Sequence, residues 1–189
     1  MKKALPIFLL SGICIAFAVH YFSPDFSWLT DASSSEDSGK IAEMSQPLPR
    51  AVMPSLDGDW VNLETYKGSV VLINFWTTWC SGCREEMPEL IKLQNQFGAK
   101  GFKVVAIAVD DEGEQSVKDF AQNEQFTVDG ASVSINFPVL LGHDEIARKL
   151  GFEGGLPASV LVTREGNEVK IIRGPANAKE VSPLIKRLL

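Results

Sequence analysis

The sequence predicts an α/β domain in which helices cover both faces of a central mixed β-sheet. Two observations support this fold class. A β-α-β order opens the domain, with a buried strand at 70–76, a helix at 81–97 and a second buried strand at 104–109. A hairpin formed by 158–162 and 168–173, followed by a helix at 177–189, closes it. In front of this domain we expect an N-terminal hairpin extension and an N-terminal membrane or signal helix.

The composition is typical of one folded domain. The chain has 189 residues, of which 45% are hydrophobic and 22% are charged, with a formal net charge of −6 and three cysteines. That length suits a single core, and the charged fraction excludes collagen-like and wholly disordered proteins. The acidic balance argues against nucleic acid as a partner. Three cysteines are too few for a small protein built on a disulfide framework.

The first 22 residues predict export from the cytoplasm. Lys2 and Lys3 precede an uncharged run at 4–22, which is long enough to cross a bilayer. Lysines in front of such a run hold the N-terminus in the cytoplasm. A secretory signal peptide has the same pattern. We therefore interpret residues 1–22 as a signal anchor or a signal peptide.

Residues 23–49 are interpreted as a flexible linker, and residues 50–189 as the folded domain. The stretch at 31–39 is small, polar and acidic, so it cannot bury enough apolar surface to offset its chain entropy. Export places the domain in the periplasm or another extracytoplasmic space, either anchored by 4–22 or secreted after cleavage. Such a compartment tolerates disulfides.

Shorter elements fill the rest of the domain. A turn at 57–59 precedes a strand at 60–63. An amphipathic pattern predicts a helix at 116–125, and residues 137–141 read as a short strand. A short helix at 144–150 follows, with Asp144 as the expected N-cap. Residues 128–136 are interpreted as a local extension.

Cys80 and Cys83 lie three residues apart where a buried strand gives way to the helix at 81–97. Free backbone N–H groups and the helix dipole favour anionic sulfur at this position. The first thiol is therefore expected to attack a disulfide and the second to resolve the mixed disulfide. A structural disulfide and a zinc site are the alternatives. A zinc site needs about four ligands, but His20 and His143 are the only histidines in the sequence. We therefore expect no metal, and we also expect no cofactor.

Residues from about 44 to 189 resemble the thioredoxin-like superfamily, and are most similar to the TlpA/ResA-like family of membrane-tethered thiol–disulfide oxidoreductases. The matching stretches are 57–63, 68–80, 83–90 and 155–159. The resemblance implies a thioredoxin fold and an enzyme that reduces disulfides of protein substrates, with cytochrome c maturation as one possible task. It also implies a membrane thiol electron donor of the DsbD or CcdA type. A disulfide oxidant, or a copper chaperone of the same fold, is the alternative.

The resemblance assigns roles to individual residues. Cys80 matches the nucleophile and Cys83 the resolving cysteine. Pro157 matches a cis-proline that faces the cysteine pair, and the Leu156 backbone before it would pair with an extended substrate. Trp79 has a supporting role.

Glu86 matches the acid beside the cysteine pair, and it lies on the same helix face as Cys83. It is the candidate for proton transfer to and from Cys83, and a nearby thiolate would raise its pKa. The alternative is a solvated surface acid. Asn74, a supporting residue, occupies the strand position where thioredoxin has a buried aspartate. The dipeptide between the cysteines departs from the family, because Gly82 stands where many relatives carry proline.

Overall fold

A computed structural model describes residues 47–48, 50–152 and 154–189. The predictions for residues 1–22, and for most of the linker at 23–49, lie outside these residues. Within the described ranges, no helix combines the length and the apolar character that a membrane span requires.

The described residues form strands and helices, with short 3₁₀ turns at Leu63–Tyr66 and Gly98–Lys100. The strands are β1 (Val52–Pro54), β2 (Trp60–Asn62), β3 (Val70–Trp76), β4 (Phe102–Ala108), β5 (Phe126–Val128), β6 (Ala131–Val133), β7 (Val139–Leu141), β8 (Ala158–Val162) and β9 (Glu168–Arg173). The helices are α1 (Ser81–Phe97), α2 (Glu114–Asn123), α3 (Asp144–Lys149) and α4 (Ala178–Leu188).

A five-stranded mixed sheet in the order β7-β4-β3-β8-β9 forms the centre. β3 pairs in parallel with β4, and β4 with β7, whereas β8 runs antiparallel to both β3 and β9. Every residue of β3 is buried, as expected of a strand covered on both faces. The central mixed sheet of the sequence prediction is therefore confirmed.

Two cores lie on opposite faces of the sheet, because successive side chains of a strand point to opposite sides. Leu72 and Trp76 of β3 pack with α1, α2 and α4. Ile73 and Phe75 pack on the other face, where the core includes Ile146 of α3 together with residues around β1 and β2. Alternation places Asn74 on the α1 side.

Several predicted elements have their expected bounds. β3, α1, β8 and β9 begin and end where the sequence placed them. Asn177 caps α4, because its side chain accepts a hydrogen bond from the Lys179 N–H at 2.9 Å. The N-cap prediction for Asp144 is wrong. His143 is the N-cap residue of α3, and no side chain caps that helix; Asp144 lies in the first turn, where its charge complements the helix dipole.

Two small hairpins complete the fold. β1 and β2 form an antiparallel pair, and a bridge from Ser55 to Leu140 joins this pair to β7. The segment at 128–136, interpreted as a local extension, contributes its residues 128–133 to a second hairpin of β5 and β6. Asp129 and Gly130 form its turn with positive φ angles of 51° and 83°, the backbone that an Asp-Gly hairpin turn favours.

Candidate active site

Cys80 and Cys83 form a disulfide at the N-terminus of α1. The central strand β3 ends at Trp76, and a short turn later Cys80 takes the N-cap position in extended backbone conformation. The Cα atoms of the two cysteines are 5.2 Å apart, and the Cys83 N–H donates to Cys80 Sγ at 3.2 Å. Because the first N–H groups of a helix have no backbone acceptor, they are available to stabilise a thiolate at Cys80.

The two sulfur-bearing residues differ in their accessibility. Cys80 is 8% exposed, whereas Cys83 is completely buried. A partner can therefore reach the first cysteine but not the second. This difference in exposure fits an attacking thiol at Cys80 and a resolving thiol at Cys83.

Glu86 is a buried acid that follows Cys83 by three residues on α1. It is only 1% exposed, which excludes the alternative of a solvated surface acid. Its two oxygens accept hydrogen bonds from Asn74 Nδ2 at 2.7 Å and from the Ala176 N–H at 2.6 Å. Burial raises the pKa of Glu86 to about 7, although both hydrogen bonds favour the charged form. Burial causes this rise in the disulfide form, which has no thiolate, so the expected effect of a thiolate on the pKa of Glu86 stays a prediction.

Asn74 connects Glu86 to a second strand. It is completely buried and lies opposite Ser159 in the β3–β8 ladder. Its Nδ2 lies 3.0 Å from Ser159 Oγ, in addition to its bond to Glu86. Sequence analysis did not single out Ser159, because the two residues become neighbours only through strand register.

Pro157 lies against the first turn of α1, between the two cysteines. The Leu156–Pro157 peptide bond is cis. A Cβ atom at Gly82 would lie 3.3 Å from Pro157 Cδ, so the proline ring packs on the backbone between Cys80 and Cys83. Leu156 lines the same groove as Cys80. The structure therefore brings together the two regions that the sequence places more than 70 residues apart.

An acidic loop after β4 holds the segment that leads to Cys80. Trp79 is 58% exposed, and its indole N–H donates to Asp111 Oδ1 at 2.8 Å. The Asp110 carboxylate accepts hydrogen bonds from the backbone N–H groups of Thr78 and Glu112. No motif in the sequence marks either aspartate as part of the site. The parallel pairing of β3 and β4, whose carboxyl ends share one sheet edge, could have indicated them.

An open groove of about 850 Å³ runs past the exposed side of Cys80. Apolar side chains and bare backbone line much of it, which suits an extended peptide. Across the described ranges, no cluster of three or more His, Cys, Asp or Glu side chains could hold a metal ion. The groove lining is Thr77, Trp79, Cys80, Ser81, Gly82, Val109, Asp111, Asp144, Ala147, Arg148, Phe152, Gly154, Gly155 and Leu156.

Comparison with known proteins agrees with this geometry. Residues 44–170 match the model of the AhpC/TSA family. The thiol-disulfide oxidoreductase ResA of Bacillus subtilis is 29% identical over 176 residues, which cover 92% of this chain and 88% of that protein. ResA of Geobacillus thermodenitrificans is 31% identical over 134 residues, covering 70% of this chain and 71% of that protein.

A solved structure of a thiol:disulfide interchange protein also resembles this chain. The thiol:disulfide interchange protein of the thioredoxin family from Chlorobium tepidum superposes with a TM-score of 0.63 and 28% identity, covering 76% of this chain and 96% of that one. The chain belongs to the AhpC/TSA family. It has a thioredoxin-like fold, and it is an enzyme of the thiol–disulfide oxidoreductase class. The resemblance stated from the sequence is therefore confirmed.

Proposed function

We propose that this enzyme reduces disulfides of protein substrates outside the cytoplasm through the Cys80–Cys83 pair. One observation carries the proposal: an accessible cysteine at a helix N-terminus is bonded to a buried cysteine in the first turn, and a buried acid follows one turn later on the same helix. The loop before Pro157 supports it, since Leu156 lines the groove and its backbone can pair with an extended chain. Apocytochrome c, whose cysteines must be free thiols for haem attachment, is the substrate that the family resemblance suggests.

The reaction is a sequence of two thiol–disulfide exchanges. In the reduced enzyme, the Cys80 thiolate attacks one sulfur of the substrate disulfide and releases the other as a thiolate, which takes up a proton. The Cys83 thiol then loses its proton and attacks Cys80, which releases the second substrate thiol. The substrate gains two electrons and two protons, and the enzyme is left with the Cys80–Cys83 disulfide.

Glu86 is the proposed proton acceptor for Cys83. Cys83 is buried and has no access to solvent, so its proton must leave through a protein group. A carboxyl group with a pKa of about 7 exchanges protons efficiently near neutral pH, because the best general acid or base has a pKa near the working pH.

The N-terminal segment determines where this chemistry takes place. We propose that residues 4–22 anchor the chain in the cytoplasmic membrane and that the linker at 23–49 connects them to the domain at 50–189. A membrane thiol donor of the DsbD or CcdA type would return two electrons to the Cys80–Cys83 disulfide. Loss of this donor should therefore leave the exported protein oxidised in the cell.

Trapping of the mixed disulfide tests the proposal. In Cys83→Ala, the Cys80 thiolate still attacks a substrate, but no resolving thiol completes the exchange. We expect covalent complexes that dithiothreitol releases, with mass spectrometry locating the bond at Cys80. The matched control is the Cys80→Ser, Cys83→Ala double variant, which should trap nothing. Equal trapping by both variants, or none by either, would overturn the proposal.

A further inference from the structure

The polar pair of Asn74 and Ser159 lies deep inside the sheet. Both residues have no exposed surface, and the neighbouring core on this face contains Leu72, Trp76 and Leu161. Burial of two polar side chains there costs free energy unless their hydrogen bonds are made. Neither residue reaches the groove, so substrate contact does not explain them.

The Asn74 amide is held in one orientation. One of its N–H groups donates to Glu86 Oε1 and the other to Ser159 Oγ, at 2.7 and 3.0 Å. Its carbonyl oxygen is buried and has no hydrogen-bond partner. In the opposite orientation, this oxygen would face the Glu86 carboxylate and the donor would be lost.

We propose that Ser159 is a positioning residue that holds the Asn74 amide so that it donates to Glu86. A donor on a carboxylate oxygen favours the charged form. Ser159 therefore counteracts the effect of burial and limits the rise in the pKa of Glu86. The Ser159 hydroxyl is suited to this role, because its oxygen accepts the Asn74 N–H that does not donate to Glu86.

Two hydrogen-bond donors, the Asn74 amide and one backbone N–H, favour the charged form of Glu86. β3 contributes Asn74, β8 contributes Ser159 through it, and the segment before α4 contributes the Ala176 N–H. On α1, Cys83 does not titrate while it is disulfide-bonded. Glu89, one turn further along α1, accepts hydrogen bonds from Lys92 and from the Ala178 N–H. The positive charge of Lys179 on α4 also lowers the pKa of Glu89.

The test is a titration of Glu86 in the oxidised full-length chain, solubilised in detergent. The carboxyl ¹³C signal gives the midpoint, and Glu86→Gln assigns it. We expect Ser159→Ala to raise the midpoint by about one pH unit, because the hydrogen bond from Asn74 to the charged Glu86 carboxylate weakens. Ser159→Thr, which keeps the hydroxyl, should titrate as the wild type does. An unchanged midpoint in Ser159→Ala, or an equal rise in a folded Ser159→Thr, would overturn the proposal.

A double-mutant cycle provides the second measurement. If Ser159 acts through Asn74, then Asn74→Ala raises the midpoint, and adding Ser159→Ala raises it no further. Additive shifts would contradict the proposal. The role of Ser159 in setting the pKa of Glu86 does not depend on the proposed function. Only the use of Glu86 in proton transfer rests on that function. Because the midpoint is read in the disulfide form, a failure to trap substrates overturns the proposed function and leaves this result unaffected.

Discussion

Replacing Glu86 by glutamine should change how the stability of the oxidised protein depends on pH. The side chain is 1% exposed, and burial raises its pKa from 4.5 to about 7. An acid with a higher pKa in the folded state binds its proton more tightly when folded. Its contribution to stability is therefore most favourable below pH 4.5, and it is lost as the pH rises to about 7.

The size of the effect follows from that difference in pKa. At about 1.4 kcal/mol per pH unit, the wild type should lose about 3 kcal/mol of unfolding free energy across this interval through Glu86 alone. A glutamine side chain has no titratable proton, so Glu86→Gln should lack this loss. Its amide places an N–H group opposite the donor of Asn74 or Ala176, which costs the variant an amount of stability that does not depend on pH. The slope with pH is therefore the informative quantity, rather than the absolute stability.

Urea unfolding of the oxidised full-length chain between pH 4.5 and 8.5 measures this slope. Glu85→Gln is the matched control, because Glu85 is an exposed neighbour on the same helix. The control should follow the wild type, whereas Glu86→Gln should diverge from both between pH 4.5 and 7. Parallel curves for all three proteins would refute the assignment of a buried acid with a raised pKa.

Three further substitutions test other parts of the site and fold. Asp111→Ala removes the acceptor of the Trp79 indole N–H, and we expect a several-fold rise in KM for insulin reduction; an unchanged KM would show that the bond does not position Trp79. Gly82→Ala places a methyl group 3.3 Å from the Pro157 ring, so kcat/KM for the same substrate should fall several-fold, and equal activity would contradict a tight contact. Asn177→Ala removes the cap of α4, and urea unfolding should show a loss of about 1 kcal/mol; no loss would mean that the cap does not stabilise this helix.

Much of the fold could be predicted from local sequence. The run at 70–76 is apolar except for Asn74 and is rich in β-branched and aromatic residues, which predicts a buried strand. The helix that follows has apolar residues at helical spacing and ends before Gly98. The cysteine pair between these two elements is recognisable because its two members lie three residues apart in the sequence.

The surroundings of Glu86 could not be predicted in the same way. Its burial depends on how α1 is rotated against the sheet, and its partner Ala176 lies 90 residues away in the chain. Ser159 meets Asn74 only because β8 pairs with β3 in one register. These contacts are set by tertiary packing, and no local pattern encodes them.

The reduction potential of the Cys80–Cys83 pair tests the central claim most directly. Equilibration of the full-length chain with dithiothreitol buffers and with the more oxidising glutathione buffers, followed by alkylation and mass spectrometry, gives this potential. A protein-disulfide reductase should have a value near that of thioredoxin, about −270 mV. A value near that of the oxidant DsbA, about −120 mV, would contradict the account and make the enzyme a donor of disulfides.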